Sequence, residues 1–135
     1  MIGPGTGIAT GIGIATGTEI ANVTVTTMGR PAATATVAVA ARNEEQVVDV
    51  AAQLRQRGYE AFAFRCDVTD HHQVRDLALS ASETMGKVDI LINNAGTATS
   101  NPLSEVKLQE WNHIMAVNAT GTFLCTQAMY PGMVN

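Results

Sequence analysis

The chain has 135 residues, enough for one domain with a modest core. With 46% hydrophobic and 15% charged residues it is expected to fold rather than stay disordered. A formal net charge of −4 disfavours nucleic acid or an anionic membrane surface as a partner. The chain has no apolar run of the roughly 18 residues a membrane-spanning helix needs. No charged start followed by an apolar stretch marks a secretory signal, so a cytoplasmic protein is the expectation. Cys66 and Cys125 stand in no metal-ligand spacing and read as small buried thiols. His71 and His72 open a predicted helix with no third ligand nearby, so no metal site is expected.

Residues 1–36 are rich in Gly, Thr and Ala and poor in charge. Within them, Thr6-Gly7-Ile8-Ala9-Thr10-Gly11-Ile12-Gly13 places glycines at 7, 11 and 13. Glycine suits a loop whose backbone N–H groups must approach a phosphate closely, with a following helix aiming its positive end at the anion. Gly-Thr repeats also occur in low-complexity sequence, so the loop alone leaves both readings open. The Pro4 and glycine that precede it make a poor central strand. Residues 22–27 are β-branched and alternating, which opposes helix, and Gly29-Arg30-Pro31 breaks any element.

From about residue 37 onward strands and helices alternate. Residues 36–41 form a short apolar run with β-branched members, as expected of a buried parallel strand. Asn43 offers an N-cap with Gln46 three residues on, Val47, Val48, Ala51 and Leu54 keep helical spacing, and Gly58 closes the helix. A second strand over 61–66 leads to a helix capped by Thr69 or Asp70 and ended by Gly86. A third strand, 88–92, runs directly into Asn93-Asn94-Ala95-Gly96, and a long helix is predicted from about 105 to 129. Short connections between alternating strands and helices imply a parallel sheet covered on both faces. Ligands on such sheets bind just beyond the carboxyl ends of the strands. Arg42, Asp67-Val68 and Asn94-Ala95-Gly96 occupy those positions.

These residues resemble the classical short-chain dehydrogenase/reductase family, and most nearly its 3-oxoacyl-acyl-carrier-protein-reductase-like members. The family's Thr-Gly-x-x-x-Gly-x-Gly loop matches residues 6–13, its Asp-Val pair 67–68, its Asn-Asn-Ala-Gly signature 93–96, and its helix asparagine Asn118. The resemblance implies an α/β fold: one NAD(P)-binding, Rossmann-like doubly wound parallel sheet over residues 1–135, of which only the N-terminal cofactor-binding half is present. It implies that Thr6, Gly7, Gly11 and Gly13 shape the phosphate-binding turn and that Ile12 packs beneath the cofactor. By the same resemblance Asp67 meets the adenine amine, Val68 adds a backbone group, and Asn94, Ala95 and Gly96 line the ribose. The asparagine pair would also tie neighbouring strands together, where the bland alternative is a turn.

Asn118, within an apolar helical stretch, matches one of the family's four catalytic residues; the alternative is a solvent-facing asparagine. NAD enzymes usually carry an acid at the end of the second strand, whereas this chain has Arg42, so NADP(H) is favoured over NAD(H). A solvated arginine is the alternative there. The family's serine and Tyr-x-x-x-Lys pair are missing: four residues after Tyr59 stands Ala63, and four after Tyr130 stands Val134. The reading is therefore an NADP(H)-dependent oxidoreductase acting on a small carbonyl or alcohol substrate, represented here by a truncated or misassembled N-terminal piece, inactive alone. It is expected to form a homo-oligomer through the helix 105–129. The alternative is a non-catalytic NADP(H)-binding or dimerising fragment.

Overall fold

A computed structural model describes residues 19–20, 23–28 and 35–134. The glycine loop, with Thr6, Gly7, Gly11, Ile12 and Gly13, lies outside the described residues. The elements in chain order are β1 (Glu19–Ile20), β2 (Val23–Met28), β3 (Ala35–Ala41), α1 (Glu44–Gln56), β4 (Glu60–Arg65), α2 (His71–Met85), β5 (Ile90–Asn93) and β6 (Gly96–Thr97). A 3-10 turn, Leu103–Glu105, then leads to α3 (Leu108–Met115), a π-helical turn (Ala116–Gly121) and α4 (Thr122–Val134).

The helix ends follow from local chemistry. The Asn43 side chain accepts a hydrogen bond from the Gln46 N–H at 3.1 Å, capping α1. Of the two candidate caps for α2, Asp70 is the one used: Oδ1 accepts from the N–H groups of His72 and Gln73, and Oδ2 from the Gln73 side chain. The Gln73 bonds, then His72, hold the Asp70 carboxyl below its ordinary pKa. Gly58 (φ 90°) and Gly86 (φ 78°) stop the two helices in backbone conformations that side chains disfavour.

A four-stranded sheet runs in the order β4-β3-β2-β5, and β1 pairs separately with β6. Ala38 and Ala40 of β3 face a core made with Cys66, Val74, Leu77, Cys125 and Met129. Val37, Val39 and Ala41 face the other way, onto Val47 of α1. Helices therefore cover both faces, and β3 is buried through five consecutive residues, as a doubly wound α/β sheet requires.

The sheet is mixed, not wholly parallel. β3 and β4 pair in parallel, Thr36 opposite Glu60 through Ala41 opposite Arg65. β2 is antiparallel to both β3 and β5. Reversal on either side leaves β3, β4 and β5 running the same way, with β2 inserted against them. The classic doubly wound order is 3-2-1-4, so β2 takes the place of the first strand, the one that would lead into a glycine loop. The reason is the connection. Residues 29–34 join β2 to β3 directly, and so short a link allows only antiparallel neighbours, whereas parallel ones need a crossover of a dozen or more residues.

Expected boundaries also move, most of all in the third strand and the last helix. The third strand begins at Ile90 rather than Val88, and the predicted helix over 105–129 is two α-helices separated by a π turn, continuing to Val134. Among the described residues β5 is an edge strand, with Ile90 and Ile92 exposed by 37% and 36%. An apolar sheet edge invites pairing between molecules. Ile92→Lys is expected to lower self-association of the 135-residue chain, measured by light scattering; unchanged scattering would place the sticky surface elsewhere.

Candidate functional site

The carboxyl ends of β3, β4 and β5 converge on a cleft lined by Arg42, Cys66, Asp67, Val68, Ala95, Gly96 and Val117. Arg42 is the first residue past β3, Cys66 to Val68 follow β4, and Ala95 and Gly96 follow β5. Their meeting is a consequence of strand register. Ala41 stands opposite Arg65, and the Cys66 N–H donates to the Ala41 carbonyl at 2.9 Å, carrying the parallel ladder one step past β4. Five of the residues expected at the cofactor site thus share one cleft. Asn94 is exposed and does not line it.

The walls are mostly apolar, with one carboxylate and one guanidinium among them. Asp67 is held by its own turn. Its Oδ1 accepts from the Thr69 N–H at 2.9 Å and from the Thr69 hydroxyl at 2.7 Å, and its N–H donates to Gln73 Oε1. Val68 is buried, and its side chain does the packing. A Cβ on Gly121 would lie 2.7 Å from Val68 Cγ2 and 3.1 Å from its Cβ. Only glycine lets the π turn approach the segment after β4 this closely, a constraint that sequence reasoning missed. Its one sequence signal is a glycine inside an otherwise helical pattern.

Asn118 lies in that π turn and is exposed, although its neighbours in the sequence are apolar. Both ends of its amide are nevertheless bonded. Nδ2 donates to the Thr97 carbonyl and Oδ1 accepts from the Thr97 N–H, each at 2.8 Å. The side chain thus acts as a strand partner and clamps the segment after β5. The Asn118 carbonyl accepts from the Thr122 hydroxyl at 2.9 Å, and the Thr122 carbonyl from the Thr126 hydroxyl at 2.7 Å. Such back-bonding hydroxyls loosen a helix, and π turns recur at functional sites.

Asn93 ties β5 to α4, its Nδ2 donating to Thr126 Oγ1 at 3.0 Å. Since the Thr126 hydroxyl hydrogen goes to Thr122, that oxygen can only accept here, which fixes the orientation of the Asn93 amide. On the other side of the clamp, β1 pairs with β6, Glu19 opposite Thr97 and Ile20 opposite Gly96. The backbone of Gly96, expected to line a ribose, therefore also carries a strand pairing that the sequence reading did not foresee.

Cys66, in the wall of the cleft, and Cys125, in the core behind it, are free and buried. Burial pushes the Cys66 thiol up to about 12, with smaller contributions from Cys125 and nearby carboxylates, and the Cys125 thiol up to about 11. Both stay protonated at neutral pH, the wrong state for a nucleophile. No group of three or more potential metal ligands occurs among the described residues.

An α/β sheet covered by helices on both faces, with a cleft where its strands end, defines a Rossmann-like, doubly wound type of domain. Residues 5–135 match the model of the short chain dehydrogenase family, and the chain belongs to that family. It is 31% identical over 94 residues to the 3-oxoacyl-[acyl-carrier-protein] reductase FabG of Staphylococcus epidermidis, covering 70% of this chain and 38% of the relative. It is 38% identical over 82 residues to the 5-keto-D-gluconate 5-reductase of Escherichia coli, covering 61% of this chain and 32% of the relative. Among solved structures, a short-chain type dehydrogenase/reductase from Mycobacterium marinum superposes with a TM-score of 0.68 at 36% identity, covering 72% of this chain and 38% of that one. A gluconate 5-dehydrogenase from Burkholderia cenocepacia, solved with NADP and tartrate, gives 0.64 at 34% identity, covering 70% and 37%. The chain thus spans well under half the length of the relatives it matches. Their names carry different substrates, so the match reaches the family and not one member's substrate.

Gly121→Ala is expected to cost about 1–3 kcal/mol through overpacking against Val68, read from denaturant unfolding, and to be partly rescued by Val68→Ala. A cost without rescue would mean that another contact is responsible. The two thiols are expected to resist a thiol reagent at pH 8 in the folded chain and to react promptly in denaturant.

Proposed function

We propose that this chain is the NADP(H)-binding half of an oxidoreductase that moves a hydride to or from a carbonyl or alcohol carbon of a small molecule. The observation that carries the reading is the cleft itself. One strand end supplies Arg42, the next Asp67 and Val68, the third Ala95 and Gly96. The residues fit the adenosine half of such a cofactor. Val68, Ala95 and Val117 offer apolar contact for a base. Both side-chain bonds to Asp67 fall on Oδ1, so Oδ2 suits an adenine amine. Val68 would add a backbone group, with Ala95 and Gly96 along the ribose; Asn94, expected there too, stays outside the cleft. Thr6, Gly7, Gly11 and Gly13 would form the phosphate turn, with Ile12 beneath the cofactor.

Arg42 is the basis for choosing NADP(H) over NAD(H). A guanidinium can hold a 2′-phosphate through two parallel charge-assisted bonds, whereas the acid usual at this position in NAD enzymes would repel it. The NADP in the Burkholderia cenocepacia relative and the NADPH in a Pseudomonas aeruginosa short chain oxidoreductase support the same choice. NADP(H) when bound supplies the hydride. Asn118 acts here as a positioning residue, holding Thr97 beside the cleft. The serine and the Tyr-x-x-x-Lys pair that complete the family's chemistry are not among these 135 residues, so the chain by itself is expected to bind cofactor without turnover.

Association through the helices after β6 is part of the proposal. α4 carries no charged side chain, yet Phe123 and Tyr130 are 59% and 60% exposed, and Leu108 and Trp111 of α3 are exposed as well, by 73% and 52%. An uncharged helix that exposes large apolar side chains suits a buried setting, and a second copy of the chain would provide one. Among the described residues no helix is long and apolar enough to cross a membrane, and we place the protein in the cytoplasm.

Titration of the 135-residue chain with NADPH and NADH, followed by nucleotide fluorescence, tests the reading. Saturable binding that favours NADPH, with the preference lost in Arg42→Asp, is the expected result. No binding of either nucleotide, or a preference for NADH, would overturn it.

A further inference from the structure

We propose that Arg65, at the end of β4, is a second specificity-determining cation for the 2′-phosphate, acting beside Arg42. The inference rests on the cofactor reading above and adds a residue that the sequence pattern did not single out. Arg65 stands opposite Ala41 in the parallel β3–β4 ladder, so its Cα is level with the last residue of β3. Neighbouring strands lie about 4.8 Å apart, well within the reach of an arginine side chain. The reach is observed: Arg65 Nε donates to the Arg42 carbonyl at 3.3 Å. That bond draws the guanidinium across the strand end to the turn where a 2′-phosphate would sit.

The two arginines approach this turn from opposite sides of the sheet. Arg42 lines the cleft together with Cys66 and Val117, on the α2 and α4 face. Side chains alternate along a strand, so Arg65, next to the inward-facing Cys66, shares the α1 face with Ala63. Between them lies the turn 42–43 and the N-terminus of the 13-residue α1, whose dipole favours an anion. Asn43 Oδ1 is occupied in capping, and the acids closest in sequence, Glu44 and Glu45, lie in the first turn of α1.

Arg65 is exposed and makes no ion pair among the described residues, so its charge is not already neutralised by a protein acid. The carbonyl bond uses one of the five N–H donors of the guanidinium. A carbonyl alone does not require arginine there. A dianionic phosphate bracketed by two guanidinium groups gives the second charge a use, and only the nucleotide that carries a 2′-phosphate can draw on it.

The experiment is a calorimetric or fluorescence titration of NADPH and NADH into the wild-type chain and its Arg65→Gln, Arg65→Lys and Arg42→Asp variants. Arg65→Gln is expected to weaken NADPH about tenfold, in line with losing one charge-assisted contact, and to leave NADH unchanged. Arg65→Lys, which keeps the charge without the fork, should fall between. The NADH affinity reports whether the fold survives. Equal weakening of both nucleotides would make Arg65 a structural support of the turn, and no change in either would make it a bystander; both results overturn the proposal. If Arg65→Gln keeps the NADPH preference while Arg42→Asp loses it, Arg65 alone is refuted. If Arg42→Asp keeps the preference too, or the wild-type chain binds neither nucleotide, the cofactor reading falls and takes this inference with it.

Discussion

The parallel pairing of β3 with β4 is the interaction on which the rest of the structure depends. Six residues of each strand align, from Thr36 opposite Glu60 to Ala41 opposite Arg65. Because the register is exact to the last residue, Arg42 and the Cys66 to Val68 segment emerge side by side. A slip by one residue would turn Ala61 and Ala63 to the opposite face and send Asp67 away from the cleft. What prevents the slip is burial on both sides of β3, where alanines and valines leave no polar face to offer to water.

Close approach of backbone segments sets the packing around the cleft. β3 is built of small side chains, α4 meets the sheet through Cys125 and Met129, and the π turn meets the segment after β4 through Gly121 against Val68. Dense packing of small groups stores little apolar area per residue, so each contact must be tight to contribute. The same tightness brings Asn118 within hydrogen-bond distance of the Thr97 backbone. The π turn is what makes both contacts possible at once: it widens the helix where the glycine enters and sets the asparagine amide toward the segment after β5.

The reversed β2 connects fold to function in another way. Its first residue, Val23, stands opposite Ala40 of β3 and Asn93 of β5, so the chain reaches it at the carboxyl edge of the sheet. β1 pairs with Gly96 and Thr97 on that same edge. The carboxyl edge, where ligands bind in this class of fold, is therefore also where the N-terminal part of the chain joins the sheet. Asn118 and β1 both engage Thr97, one by a side-chain amide and the other by strand pairing.

Much of this was legible in the amino-acid order. Apolar runs marked β3 and β4, Asn43 and the 69–70 pair marked the helix starts, Gly58 and Gly86 the stops, and the residues after each strand marked the candidate site. These features are local: capping, positive φ and burial pattern act within a few residues, so composition and spacing determine them. The β-branched run over 22–27 likewise opposed a helix, and β2 is a strand over Val23–Met28. Its direction and partners depended on the length of the link to β3 and on which strand place was open, which are properties of the assembled sheet. The break of the long helix at Asn118, the demand for glycine at 121, and the reach of Arg65 to the Arg42 carbonyl arise between residues distant in sequence. Local chemistry carried the sequence as far as the elements and the residues at their ends; the tertiary packing alone decided which of those ends meet, because only the register of one strand on the next sets the distances between them.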